Sequence, residues 1–196
     1  MTPTFASLFL AGARLAAMAA VLAGCATGSV GPGTTDNGPC HGHDPAAEAA
    51  ATQGMPPYVG KDTYQNVVLR EGTVLYSLTP GAPPGFAVAA PTLRDAAGSW
   101  QKYYALVQVT TDPGKDAQGR PRKLRETVRA FHVSEPLCVA HGIARANPQF
   151  GAGGGIQYYV SPGDAGKLRP GAITPIADWR PADHDNDEQR ASVDRP

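Results

Sequence analysis

The apolar residues of this chain come in short runs, each stopped by glycine or proline, and that spacing limits what it can fold into. Thr73 to Leu78 is stopped by Thr79-Pro80-Gly81, and Phe86 to Ala90 follows a Pro-Pro-Gly turn. Asp112-Pro113-Gly114 opens a loop that continues through Gly119-Arg120-Pro121. Runs of this length bounded by turn residues read as strands. Glycine and proline together supply 42 of the 196 residues. Both break helix interiors, which argues against a helical bundle. Thr127 to Val133 alternates, and Leu137 to Ile143 and Ile156 to Val160 are further short strands. Tyr103 to Val109 is almost continuously apolar and reads as a buried strand. Short helices are expected around Thr92–Ala97 and at Ser99–Tyr103. The expected domain, residues 58–180, is therefore α+β and mainly β.

Its flanks have a different chemistry. Residues 1–24 are apolar and rich in small residues, with a single charge at Arg14. The apolar stretch is too short to span a bilayer, which needs about 20 residues. Leu22-Ala23-Gly24-Cys25 at its end resembles the lipobox of bacterial lipoproteins. That resemblance implies a signal peptide over 1–24, diacylation of Cys25, and a membrane-anchored protein of the cell envelope. Ala26 after the cysteine resembles lipoproteins sent to the outer membrane. Residues 25–57 have almost no bulky apolar side chain and are expected as a disordered tether, because such a stretch cannot offset its ordering entropy. Residues 181–196 are polar and are expected as a disordered tail.

Lys and Arg number 17 against 17 Asp and Glu, and the isoelectric point is near 7.0. Without a basic surface a nucleic-acid partner is not expected. Cys40 and Cys138 remain after Cys25, and an exported chain lives where disulfides persist. The sequence leaves open whether these two pair. Cys40-His41-Gly42-His43-Asp44 carries metal-type ligands, but contiguous residues make a poor tetrahedral shell, so no metal site is assigned.

The most informative stretch runs from Glu135 to Val160. Gly153, Gly154 and Gly155 feed a strand, which lets backbone approach a ligand closely and adopt positive φ. Gln157 then heads an apolar strand and offers donors and an acceptor without charge. The order Pro-Leu-x-Val-x-x-Gly, a spacer, then Phe-Gly-x-x-Gly-Gly-x-Gln-Tyr resembles the C-terminal half of the tuberculosis necrotizing toxin (TNT) family of NAD glycohydrolases. The likeness covers Phe131 to about Ile173. It implies a compact mixed-β core related to ADP-ribosyltransferases, with Gln157 as a key active-site residue beside the three glycines. The Gly-Thr-x-Leu-Tyr strand ending at Tyr76 resembles the first strand of such folds, where a residue meets the dinucleotide. His132 stands on the strand where that family carries a catalytic histidine. The family's Asp-Arg-Phe-Gly segment has no counterpart.

On this reading NAD is the substrate, no further cofactor is needed, and the nicotinamide–ribose bond is cleaved by hydrolysis or ADP-ribose transfer. Nicotinamide leaves as a neutral base, so the paired carboxylates of sugar hydrolases are not required. Orientation of the ribose and stabilisation of its developing positive charge are required. Gln157 is the candidate for that task, with Tyr76 or Phe86 facing nicotinamide. Arg70, Arg94 and Arg129 are the candidate clamps for the pyrophosphate. A target or immunity protein is an open partner. The alternative is a non-catalytic envelope lipoprotein that keeps the fold as a binding module.

Overall fold

The computed structural model describes residues 39–78, 83, 85–112, 114–115 and 117–180. The expected signal peptide, Cys25 and the expected tail beyond Arg180 lie outside the described residues. Seven strands form one antiparallel sheet: β1 (Tyr64–Leu69), β2 (Val74–Ser77), β3 (Phe86–Val88), β4 (Thr127–Val133), β5 (Leu137–Ile143), β6 (Ile156–Tyr159) and β7 (Leu168–Pro175). Their order is β1-β5-β6-β3-β2-β4-β7. Among the described residues three α-helices accompany them: α1 (Pro45–Thr52), α2 (Ala90–Ala96) and α3 (Trp100–Leu106). The fold is the expected mainly β, α+β class.

The sheet curls. β4 passes to β5 through Ser134-Glu135-Pro136 alone, although the two strands are not neighbours in the order. One buried cluster then collects Val67 and Leu69 of β1, Leu137 and Val139 of β5, Leu75 of β2, Phe131 and Val133 of β4, and Leu168 of β7. No helix contributes to it, so residues from both edge strands share a core made by strands alone. The other face is covered by helices. Tyr76, Val88 and Ala130 pack there with Leu93 of α2, Tyr103 and Tyr104 of α3, and Trp179. Alternating residues of each strand thus serve opposite cores, as the two-residue period requires.

Tyr103–Val109 corrects an expectation, because its first part is helical rather than a strand. Ser99 caps α3 by accepting a hydrogen bond from the Lys102 N–H at 3.2 Å. Tyr103, Tyr104 and Val107 then lie on one face at helical spacing, all buried. An apolar run this short has no period that tells a buried strand from a buried helix, and the cap decides it. The helix ends as Gln108 takes φ +52° and its side chain bridges to the Gly151 carbonyl at 3.0 Å and the Asn147 N–H at 2.7 Å.

The expected tether also needs correction, since it does not run to residue 57. Cys40 is joined to Cys138 of β5 by a disulfide. Asp44 caps α1 through the Ala47 N–H at 3.1 Å and accepts from Asn66 of β1 at 2.9 Å. Ala49 of α1 is fully buried against Ala140 and Tyr159. Alanine-rich and almost without bulky residues, this segment fits close to the sheet because its side chains are small. Of the residues that resembled metal ligands, Cys40 is spent on a disulfide, Asp44 on a helix cap, and His43 on the contact of its Nε2 with Asp164 at 3.1 Å. Among the described residues no helix is long and apolar enough to cross a membrane.

Candidate functional site

Gln157 is buried in β6, opposite Val88 of β3. Its Nε2 donates a long bond of 3.5 Å to the Val107 carbonyl, just past the end of α3. Among the described residues no group donates to its carbonyl oxygen. Beside it opens a cavity of about 160 Å³ between the sheet and α3. Phe86 and Ser77 line it from the strands, Tyr103 and Tyr104 from α3, and Arg125 from the segment leading into β4. The Arg125 N–H donates to the Tyr104 hydroxyl at 3.3 Å, which ties that segment to the helix. Burial, reinforced by neighbouring Tyr104, pushes the Tyr103 phenol well above its usual range, so it stays neutral.

A neutral amide in an aromatic cavity with a guanidinium at its edge can orient a polar ring and stabilise positive charge by its carbonyl dipole. Drug-sized sites run to roughly 300–1,000 Å³. The cavity is smaller and suits one end of a larger ligand. A second concavity of about 250 Å³ adjoins it, sharing Tyr104, Val109 and Arg125.

The glycine run stands behind α3 and is not part of the cavity lining. The N–H groups of Gly153 and Gly155 donate to the Ala105 and Leu106 carbonyls, both at 3.0 Å, and so satisfy the open end of the helix. Gly153 has φ +70°, and a Cβ there would overlap the Ala144 carbonyl. A Cβ on Gly155 would lie 2.9 Å from the Leu106 oxygen. The run therefore lets β6 start directly against the helix that covers Gln157.

The other candidates are dispersed. Tyr76 shares the strand rung of Val88 but is buried beneath the helices, its ring edge-on to Trp179 at 5.8 Å. His132 lies on β4, three strand spacings from β6, which is on the order of 14 Å. It packs near Gly171 of β7. Arg129 donates to the Gly171 carbonyl at 3.2 Å, where the β4–β7 register shifts. Arg70 stands at the β1–β2 turn, and Arg94 on α2 lines a separate hollow with Trp179 and Arg180. Of the residues singled out in the sequence, Gln157 and Phe86 meet at the cavity. Tyr103, Tyr104 and Arg125 were missed. The one signal for them was the basic run Arg120 to Arg125 placed after an aromatic pair.

A larger concavity of about 450 Å³ lies between β1 and β5, lined by Lys61, Asp62, Tyr64, His141 and Arg145. Its polar groups mostly serve the fold. Asp62 accepts from the Arg145 and Ala146 N–H groups at 2.7 and 2.8 Å, and the Tyr64 hydroxyl accepts from Gln53 at 2.8 Å.

Comparison with known proteins corrects the expected kinship with the TNT family. The family described as Rhs1 C-terminal toxin domain matches residues 41–162. Among solved structures, Rhs1-CT in complex with its cognate immunity protein RhsI1 is 30% identical, covering 68% of this chain and 97% of that one, with a TM-score of 0.58. Tse6 in complex with Tsi6 is 17% identical over 57% of this chain and 73% of that one, with a TM-score of 0.37. No curated protein sequence matches. The glycine–glutamine pattern behind the earlier resemblance is short, and the helix-bracing role of its glycines explains it without that kinship.

Proposed function

Since the chain belongs to the Rhs1 C-terminal toxin domain family, we propose that it is a toxin that cleaves NAD at the nicotinamide–ribose bond in the Gln157 cavity. The observation that carries this reading is a buried amide whose carbonyl oxygen is unclaimed among the described residues, set in an aromatic cavity. Phe86 and Tyr104 offer surfaces for the nicotinamide ring, and the Gln157 dipole faces the ribose carbon that gains positive charge. The C1′–N bond breaks with both electrons leaving on nicotinamide, which departs neutral. Water adds its oxygen to C1′ and releases a proton, giving ADP-ribose. A cavity whose described lining holds no carboxylate suits this reaction, because the leaving group needs no acid. A protein side chain in place of water would make the product a transferred ADP-ribose.

Purified protein incubated with NAD is expected to release nicotinamide and free ADP-ribose. Absence of nicotinamide release would leave the binding-module reading. The solved relative is bound to its cognate immunity protein, which supports an immunity partner for this chain as well. The Leu22-Ala23-Gly24-Cys25 run supports export and lipid anchoring at the envelope, and the Cys40–Cys138 disulfide suits an oxidising compartment. Metabolic lipid labelling that is lost in Cys25→Ala tests the anchor.

A further inference from the structure

We infer that the basic concavity beside the Gln157 cavity is a phosphate subsite, held by Arg122, Lys123 and Arg125. This rests on the reading of the cavity as a dinucleotide site and adds where the phosphates go. The two hollows share Tyr104, Val109 and Arg125, so a ligand seated at Gln157 extends from one into the other. Arg122 and Lys123 meet no carboxylate among the described residues. The carboxylate in the described lining, Asp112, is already engaged by the Gly114 N–H at 2.9 Å. The described lining thus sets three cations, Arg122, Lys123 and Arg125, against one carboxylate, in a protein whose formal net charge is zero. Guanidinium forks and an ammonium are the groups that bind phosphate oxygens through charge-assisted hydrogen bonds.

The loop that carries these cations is held in place. Arg122 N–H donates to the Gly114 carbonyl at 3.0 Å, and Lys115 bridges to Pro121. The Thr110 N–H donates to the Tyr58 hydroxyl at 3.2 Å, and Arg125 is tied to Tyr104. A loop braced at its stem and at both ends presents its charges with little left to order on binding. Arg70, Arg94 and Arg129 lie on other parts of the molecule and are not needed for this site.

The test is calorimetric titration of the full chain with inorganic pyrophosphate, alongside nicotinamide release from NAD. Removing two of the three cations in R122Q/K123Q is expected to weaken pyrophosphate binding about tenfold and to raise KM for NAD about tenfold with kcat little changed. The charge-matched pair K61Q/R145Q, in the β1–β5 concavity, leaves both unaltered. Gln157→Ala keeps pyrophosphate affinity while losing turnover. These substitutions are on exposed side chains apart from Gln157, and thermal melts confirm folding. Equal weakening by both double variants overturns the inference, as does a wild-type protein that cleaves NAD but does not bind pyrophosphate. The latter result points to an acidic protein surface as the occupant. Selective pyrophosphate binding without any NAD cleavage leaves the subsite standing and sinks the catalytic reading alone.

Discussion

Gln157 differs from its neighbours in what its side chain touches. Tyr158 packs toward the strand-only core and Tyr159 toward α1, whereas Gln157 opens on the cavity with one long bond to the Val107 carbonyl. Removing its amide should therefore disturb chemistry more than folding. Gln157→Ala is expected to lower nicotinamide release on the order of 100-fold, mostly in kcat, the size seen when one pre-organised transition-state contact is lost. Steady-state kinetics beside a urea melt checks both halves, and a large loss of stability with unchanged kcat would count against a catalytic amide. Gly155 makes the opposite case. A Cβ 2.9 Å from the Leu106 oxygen must push α3 away, so Gly155→Ala should cost about 1–3 kcal/mol of stability, read from urea unfolding. Gln157 was legible in the sequence because an amide at the head of an apolar strand is out of place there. Arg125 was not, because a cation on a loop gains its role only when the loop is folded against the Tyr104 hydroxyl.

At the scale of elements, strands with neighbours on both sides were legible and edge strands were not. β4 falls where its alternation placed it, and β5 and β6 fall where short apolar runs placed them, since a strand buried on both faces keeps a nearly continuous apolar run. β1 and β7 each pair on one side only and carry mixed half-buried and exposed residues, which dilutes the two-residue period. β7 also holds Pro170, Gly171 and Pro175, acceptable at an edge but a turn signal when read locally. The start of α3 matches the short helix expected at Ser99–Tyr103, but its continuation to Leu106 was hidden for another reason, since that apolar run fits either element and only the Ser99 cap distinguishes them. Ser99→Ala is accordingly expected to cost about 1 kcal/mol, visible as a lower urea midpoint at unchanged slope. The same helix sets an alkaline limit. Tyr103 stays neutral when folded, its pKa raised chiefly by burial, whereas in the unfolded chain it ionises near the ordinary tyrosine value of about 10. Its contribution is intact below that value and is lost as pH rises toward the folded pKa, because the unfolded chain then binds fewer protons. Stability measured above about pH 10 should fall less steeply in Tyr103→Phe than in the wild type. Identical slopes would show that Tyr103 is not held neutral.

For the whole molecule, the decisive long-range link is the Cys40–Cys138 bridge, with partners 98 residues apart in sequence. Sequence reasoning left this pairing open, because residues 39–57 have too little apolar surface to announce that they fold. The bridge supplies what the composition lacks. It holds α1 where Ala49 meets Ala140 and Tyr159, and Tyr159 in turn packs on Phe86 with ring centres 5.0 Å apart. Phe86 lines the Gln157 cavity, so one continuous chain of contacts runs from the disulfide to the site. Closing a loop of this length removes unfolded-state entropy worth about 4–5 kcal/mol in the chain-entropy model, a large share of the roughly 5–15 kcal/mol that keeps a domain folded. Reduction, or the pair Cys40→Ala with Cys138→Ala, should therefore lower the urea midpoint sharply. It should also expose the segment around α1 to protease before the sheet itself is cut, because α1 depends on the bridge, its cap and the small Ala49 contact. If the segment stays protected after reduction and the midpoint barely moves, packing alone docks α1 and the bridge is incidental. If the segment is released while NAD turnover falls in parallel, the contact through Tyr159 and Phe86 couples the covalent link to the shape of the cavity.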